Sequence, residues 1–286
     1  MSDLWDTDTL DLPAYLARVS PGTLPGTAGP SLLTRLHRAH ATTLPFDNID
    51  LLLDRTPSLY VPDIVDKMCR RPRGGCCHEH NLLFGCVLER LGFRVDRLAA
   101  RVILGGRGPR PRTHMALRVL ADGDAWLCDV GFGEEGFLDP LPLRPGEVTA
   151  QGSRGFRVRT HRDHQCRVEV NRNGEWECLY LLSLEARPPV DFAVAHHYLS
   201  THPRSMLKRE LYLQRLSGAT RLKLRGHTLT RVTAEHVEES SVDSDGLPDV
   251  LNAFGIVLRE EELAALRRRV AATSEAHGRR HDARAT

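Results

Sequence analysis

The stretch RGGCCHEHNLLFG, residues 73–85, sets Cys76 and Cys77 side by side behind Gly74 and Gly75 and next to His78, Glu79 and His80. Such side chains could hold a metal, exchange disulfides, supply a nucleophile or fill a core. Adjacent cysteines fit poorly with the spaced pairs of zinc sites, no CxxC pair occurs, and HEH is not the HExxH of a metalloprotease. The nucleophile reading has a mechanism. After Cys77, Leu83, Val87 and Leu91 recur on one helical face and Gly92 provides a stop, so Cys77 falls at or near a helix start. The positive end of a helix favours a thiolate, and the glycine pair lets another group approach closely.

A nucleophilic thiol needs an imidazole and a group to orient it. Both lie in one predicted hairpin, RTHMALRVLADGDAWLCDVGFG. Asp122-Gly123 is a two-residue turn signal, which places Ala121 opposite Asp124. In that register His114 faces Gly131 and Ala116 faces Asp129. His114 and Asp129 are then diagonal neighbours on one face, roughly 7–8 Å apart along the backbone. Met115, Leu117, Val119, Trp126, Cys128 and Val130 share the other face, which the pattern assigns to the interior of a barrel. The spacing alone leaves two readings open: a Cys77–His114–Asp129 triad, or separate structural residues.

The elements that must carry these residues fall in three blocks. Residues 1–92 read as helical, with SLLTRLHRAHATT and PDIVDKMCRR as clear segments. Over 93–188 the period drops to about two, in FRVDRLAARVIL, HMALRVL, AWLCDVGF, FRVRT, QCRVEV and WECLYLL, as expected of an antiparallel barrel or sandwich. Residues 189–286 mix helix and strand. VDFAVAHHYLS and SMLKRELYLQRL read as helices, TRLKLRGHTLTRV as a hairpin and EEELAALRRRVAA as a closing helix. The fold class is therefore α+β, with an N-terminal helical domain, a central antiparallel β barrel and a C-terminal α/β part.

Bulk properties limit the function. The chain has 286 residues, 41% hydrophobic and 27% charged, with a formal net charge of +2 and dispersed arginines. That does not describe a nucleic-acid binder, which concentrates basic charge on one face. No apolar run approaches the roughly 18 residues of a membrane span, and the acidic first ten residues lack a leader pattern. The expectation is a soluble cytoplasmic protein, with no membrane partner, present as a monomer or homodimer. An odd set of seven cysteines in a chain of this length argues against a disulfide framework.

Taken together, these motifs resemble the arylamine N-acetyltransferases. That family has an R-G-G-x-C-x-E-x-N pattern, matched by Arg73, Gly74, Gly75, Cys77, Glu79 and Asn81. PRTHM from Pro111, DVGFG from Asp129, LPFDNID from Leu44, STHPRSMLKREL and FGIVL also match family stretches, in order along most of the chain. The resemblance implies a cysteine-protease-like catalytic core under an α/β lid. It assigns Cys77 rather than Cys76 as nucleophile, His114 as base and acid, and Asp129 as its orienting carboxylate. It implies acetyl-CoA as donor, no metal, a ping-pong reaction, and a small aromatic amine, hydrazine or arylhydroxylamine as acceptor. It further implies Arg73, Asp47 and Asn81 as structural support, and Phe46, Phe132 and Leu207 at the acceptor pocket. A related use of the same triad is amide synthesis on a carrier-bound polyketide chain.

Three positions depart from the family pattern. Asp47 replaces a usual Glu that helps hold the arginine, Leu207 replaces a frequent Phe, and His78 stands where aromatic residues are common. His78 reads as a solvated helix-start residue. Coenzyme A carries phosphates, and the basic loop GGRGPRPRTH could meet them through Arg107, Arg110 and Arg112, or could be plain surface.

Overall fold

The structure, a computed structural model, describes residues 4–282 apart from 21, 23, 25, 107–109, 134, 163, 218–219 and 234, with side chains described to 272. The first third is helical: α1 (Leu12–Val19), α2 (Pro30–Thr43), α3 (Ile49–Leu52), α4 (Val61–Val65) and α5 (Cys77–Arg90), with the two-residue strand β1 (Phe46–Asp47) after α2 and a π turn (Asp66–Arg70) after α4. Proline opens α1, α2 and α4 within the first turn, where its missing N–H costs nothing. Helix α5 is buried without a break from Cys77 to Leu88, as expected of a helix at the centre of its domain rather than on its surface. Gly92, at φ 89°, ends it in the left-handed conformation that glycine adopts without strain.

The barrel strands are β2 (Arg94–Val102), β3 (His114–Ala121), β4 (Asp124–Cys128), β5 (Leu141–Pro142), β6 (Val148–Gln151), β7 (Arg154–Arg162), β8 (Gln165–Arg172) and β9 (Glu175–Ala186). They form one eight-stranded antiparallel sheet in the order β5-β4-β3-β2-β9-β8-β7-β6, which curls until β5 contacts β7. The sheet is thus a nearly closed barrel. Asp122 and Gly123 both have positive φ, and the pairing runs from Ala121 opposite Asp124 to Leu117 opposite Cys128, the predicted register.

The assignment of faces is reversed. Met115, Leu117, Val119 and Cys128 pack outward against Leu33, Leu36, Phe84 and Val87 of α2 and α5, with Trp126 and Val130 partly buried on the same cluster. Ala116 and Leu127 point inward with Leu98, Phe156, Val158, Val168 and Leu182. Helices cover the outside of this part of the barrel, so both faces of β3 are buried and polarity does not mark inside from outside.

The last third holds α6 (Pro189–Thr201), a 3₁₀ turn (Met206–Lys208), the strands β10 (Tyr212–Ser217), β11 (Thr220–Arg225), β12 (Thr228–Val232) and β13 (Val237–Ser241), then α7 (Leu247–Phe254) and α8 (Glu260–Asp282). SMLKRELYLQRL is therefore not a helix. Leu207 and Leu211 have helical spacing, but Leu211 and Leu213 enter the C-terminal core while Tyr212 turns toward Cys77, the alternation of a strand. β10 sits between β1 and β11, so residues from the first third complete the C-terminal sheet, and Ile49 and Leu52 lie in its core. No helix among the described residues is long and apolar enough to cross a membrane.

A polar thread runs through the helical core. The Tyr15 hydroxyl lies 3.0 Å from His40 Nδ1, His40 Nε2 lies 2.9 Å from His80 Nδ1, and His80 Nε2 lies 3.1 Å from the Pro45 carbonyl. A carbonyl only accepts, so His80 Nε2 carries the proton, His40 Nε2 donates to His80 Nδ1, and Tyr15 donates to His40. Every bond is satisfied with both rings neutral. Burial holds His40 and His80 below the ordinary imidazole range and pushes His37 and His78 down to about 4. The unfolded chain binds protons on all of these near 6.5, whereas the folded chain refuses them. Stability should therefore fall as pH drops from 6.5 toward 4, by up to about 1.4 kcal/mol per pH unit for each histidine. Urea midpoints at pH 7 and 5.5 measure this; equal midpoints would contradict the neutral assignment.

Candidate active site

The turn before α5 is built on close approach. A Cβ on Gly74 would overlap the Pro45 carbonyl, and one on Gly75 would crowd Met68 and Glu79. Cys76 is the N-cap: its N–H donates to Glu79 Oε2 at 2.9 Å while its sulfur accepts from the backbone N–H of the third helical residue. Glu79 Oε1 takes a hydrogen bond from Lys67 Nζ at 2.8 Å, and the same ammonium meets Asp50 at 2.5 Å. Arg73 donates to Asp50 Oδ1 at 3.2 Å and stands 3.6 Å from Asp47. Asp47 instead accepts from Gly74 N at 3.0 Å and Ile49 N at 3.1 Å. The shorter carboxylate thus holds the glycine turn, and Asp50 takes the hydrogen bond of the arginine.

Cys77, His114 and Asp129 meet where α5 begins, β3 begins and β4 ends. His114 Nε2 lies 2.6 Å from Asp129 Oδ2, and the imidazole also hydrogen-bonds Cys77, which leaves Nδ1 for the sulfur. All three are buried, with 6, 4 and 1% exposure. Asn81, one turn along α5 from Cys77, donates to Asp129 Oδ1 at 2.9 Å and to the Met115 carbonyl at 2.7 Å, and accepts from Val130 N at 3.1 Å. Gly131 N adds a bond of 3.1 Å to Asp129 Oδ1. A side chain at Gly131 would strike Asn81 and the Cys77 backbone.

The electrostatics separate the two cysteines. A hydrogen bond from the Cys76 thiol and, against burial, the His114 imidazolium hold Cys77 well below the ordinary thiol range. The same bond and burial hold Cys76 well above it. Burial pulls His114 down, but the Asp129 carboxylate and the Cys77 sulfur overcome this and raise it to about 10. At neutral pH the site holds a thiolate facing an imidazolium. Among the described residues, no group of three or more His, Cys, Asp or Glu is placed to hold a metal ion.

Compared with known proteins, the chain matches a family model described as N-acetyltransferase over residues 31–263. It is 37% identical over 261 residues to the arylamine N-acetyltransferase of Mycolicibacterium smegmatis, covering 87% of this chain and 93% of that protein. The chain belongs to the arylamine N-acetyltransferase family. It is accordingly an acyltransferase. The crystal structure of the Nocardia farcinica family member superposes with a TM-score of 0.86 at 33% identity, over 92% of this chain and 95% of that one. The Mycobacterium marinum family member, solved in complex with CoA, gives 0.83 at 33% identity, over 92 and 98%. The fold is the cysteine-protease-like α+β fold of these enzymes.

Around Cys77 pack Phe46, Cys76, Leu199 and Tyr212, with Leu207 half-buried against them. Phe132 lies edge-on to the His114 ring, with centroids 5.3 Å apart. His78 is not solvated. It is fully buried, with Nδ1 3.2 Å from Nδ1 of His196 on α6. Arg107 lies outside the described residues. Arg110 turns back on its own loop, donating to the Leu104 carbonyl at 3.2 Å, and Arg112 is exposed.

Several residues of the site carried no local signal. Asn48 donates to the Leu207 and Glu210 carbonyls and accepts from Tyr212 N, each within 2.8 Å, which fixes the pocket wall. Tyr212 donates to the Gly133 carbonyl. Glu135, in the loop after Asp129, is gripped by Arg154 and by Arg172 and Lys223 at 3.2 Å, while Arg221 donates to the Gly136 carbonyl at 3.0 Å. These cations come from β7, β8 and β11, so only the folded chain reveals them.

Brief iodoacetamide treatment at pH 7, followed by peptide mapping, should label Cys77 first. Burial pushes Cys69 up to about 12 and Cys86 up to about 11, so both should lag. Asn81→Ala removes a hydrogen bond to a charged group, worth about 1.5–3 kcal/mol. It should slow Cys77 labelling; an unchanged rate would separate Asn81 from the thiolate.

Proposed function

We propose that this enzyme transfers an acetyl group from acetyl-CoA to an arylamine, hydrazine or arylhydroxylamine through an acetyl-cysteine intermediate. The observation that carries the reading is the hydrogen-bonded line from Cys77 through His114 to Asp129, with 2.6 Å between imidazole and carboxylate. The Cys77 thiolate attacks the acetyl carbonyl. The negative oxygen that develops is backed by the positive end of α5. His114 gives its proton to the departing CoA sulfur, and the acetyl group stays on Cys77 as a thioester. The acceptor nitrogen then attacks the thioester, the neutral His114 takes the proton the nitrogen releases, and Cys77 leaves as a thiolate. Asp129 keeps the ring in the tautomer and orientation that both steps require.

Coenzyme A as the spent donor is supported by the complex of the Mycobacterium marinum relative. Arg110 and Arg112, just before His114, are the candidates to meet its phosphates from the described part of the loop. Phe46, Leu207 and Tyr212 line the acceptor side, and Phe132 stands against the imidazole. The division at 92/93 and 188/189 follows the same reading: nucleophile, then His and Asp, then the part that covers the pocket.

Intact mass after incubation with acetyl-CoA should show one acetyl adduct, mapped to Cys77 and discharged by an arylamine. Cys77→Ser should abolish turnover. Cys76→Ser should keep a large part of it, since a hydroxyl still caps the helix and donates to Cys77. Loading only from a carrier-bound acyl chain, with none from acetyl-CoA, would replace this reading with amide synthesis.

A further inference from the structure

Helix α2 carries a buried histidine that the triad does not include. His37 is fully buried. Its Nδ1 donates to the Leu138 carbonyl at 2.8 Å, and its Nε2 accepts from the Asp129 backbone N–H at 3.2 Å. The two bonds determine each other: a proton on Nδ1 leaves a lone pair on Nε2, the only form that satisfies both neighbours. The ring stacks on Phe137 (5.6 Å, 7°) and stands edge-on to Phe84 of α5 (5.6 Å, 86°), so it has no room to rotate. Leu138 and Asp129 are the two ends of the loop that carries Gly131, Phe132 and Glu135.

We propose that His37 is a positioning residue for acetyl transfer: one imidazole closes the 129–138 loop at both ends and thereby fixes the carboxylate that orients His114. The proposal rests on the triad reading above. Asn81 on α5 and Gly131 N on the loop hold the Asp129 carboxylate, and Asn81 also takes the Val130 N–H beyond it, but neither fixes the Asp129 N–H itself. His37 does so from a third element, and it does so only while neutral. Arg38 supports the same end of the loop, pairing through Nε with Asp139 at 2.8 Å. The charged and titratable groups around the ring are Asp129, Asp139 and Arg38, and His40 lies on the next turn of α2. Those facing His114 are Asp129, Cys77, His78 and, from β9, Tyr180, whose ring lies 5.3 Å from the imidazole.

Three substitutions separate the two bonds. In His37→Gln the amide oxygen reaches the place of Nε2 and can still accept from Asp129 N. In His37→Asn the shorter amide reaches only the place of Nδ1 and keeps the Leu138 bond alone. His37→Phe keeps the stacking and loses both. The measurement is the rate of Cys77 acetylation from acetyl-CoA as a function of pH, with the adduct mapped by mass and thermal unfolding recorded alongside. In the natural protein His114, at about 10, sets the alkaline limb. The Phe and Asn variants should move that limb down by about one pH unit, a tenfold loss of proton affinity at His114. The Gln variant should keep it. Variants that lose thermal stability while the limb stays in place would make His37 a packing residue and overturn the proposal. Should Phe prevent folding, the Asn–Gln contrast decides it. Acetyl mapping elsewhere than Cys77 in the natural protein would overturn the triad reading itself, a result distinct from an unmoved limb.

Discussion

Two negative groups and one cation share a space that water hardly enters. A thiolate at Cys77 and a carboxylate at Asp129 flank the His114 imidazolium, and all three are buried. An uncompensated charge in such a place would neutralise itself by a shifted pKa. Each charge here has fixed partners instead. Asp129 receives Asn81 and Gly131 N in addition to His114, and Cys77 receives Cys76, His114 and the positive end of α5. The third-residue backbone N–H and Glu79 occupy the sulfur and the amide of Cys76, which fixes it as the cap and leaves its own proton for the neighbouring sulfur. That is why two adjacent, equally buried cysteines have opposite acidities.

The same side chain serves opposite electrostatic ends within a short distance. His37, His40, His78 and His80 are buried beside carbonyls, other imidazoles or an N–H, and burial keeps them neutral. His114 is equally buried, but a carboxylate at 2.6 Å reverses the outcome. Among them His37, His40 and His80 are rigid two-ended connectors, donating at one nitrogen and accepting at the other. They suit joints between elements, α2 to α5 and α2 to the 129–138 loop, because each ring relates two directions without importing charge near the thiolate. The charged one is confined to the point where a proton must move.

Local signals made the helix start at Cys77, the Asp122-Gly123 turn and the pairing of β3 with β4 legible in the sequence, because short-range rules determine each of them. That register alone sets His114 and Asp129 on one face. What lies on the far side of an element has no local signal. The faces of β3 were reversed because helices cover the barrel wall. His78 was placed in water because α6, more than a hundred residues later, supplies the partner that buries it. The strand at Tyr212 was read as a helix because its pairing partner, Phe46–Asp47, sits in the first third of the chain. The Glu135 hub and the His37 clasp are likewise assembled from segments that no sequence window contains.

The substitution at position 47 shows how support can move without the site moving. Asp47 stands 3.6 Å from the Arg73 guanidinium and receives the N–H groups of Gly74 and Ile49. Asp50, the second residue of α3, takes the guanidinium at 3.2 Å and the Lys67 ammonium at 2.5 Å. Burial would lower both cations, yet the carboxylates of Asp47, Asp50 and, for Lys67, Glu79 hold both above their ordinary values. The cluster therefore stays ionised and rigid under α5. Because Lys67 bridges Asp50 to Glu79, and Glu79 holds the Cys76 N–H, the cluster is tied directly to the cap of the helix. What the site requires of this region is the direction of the Gly74-Gly75 turn. Here Asp47 holds the turn's own N–H while Asp50 holds the arginine.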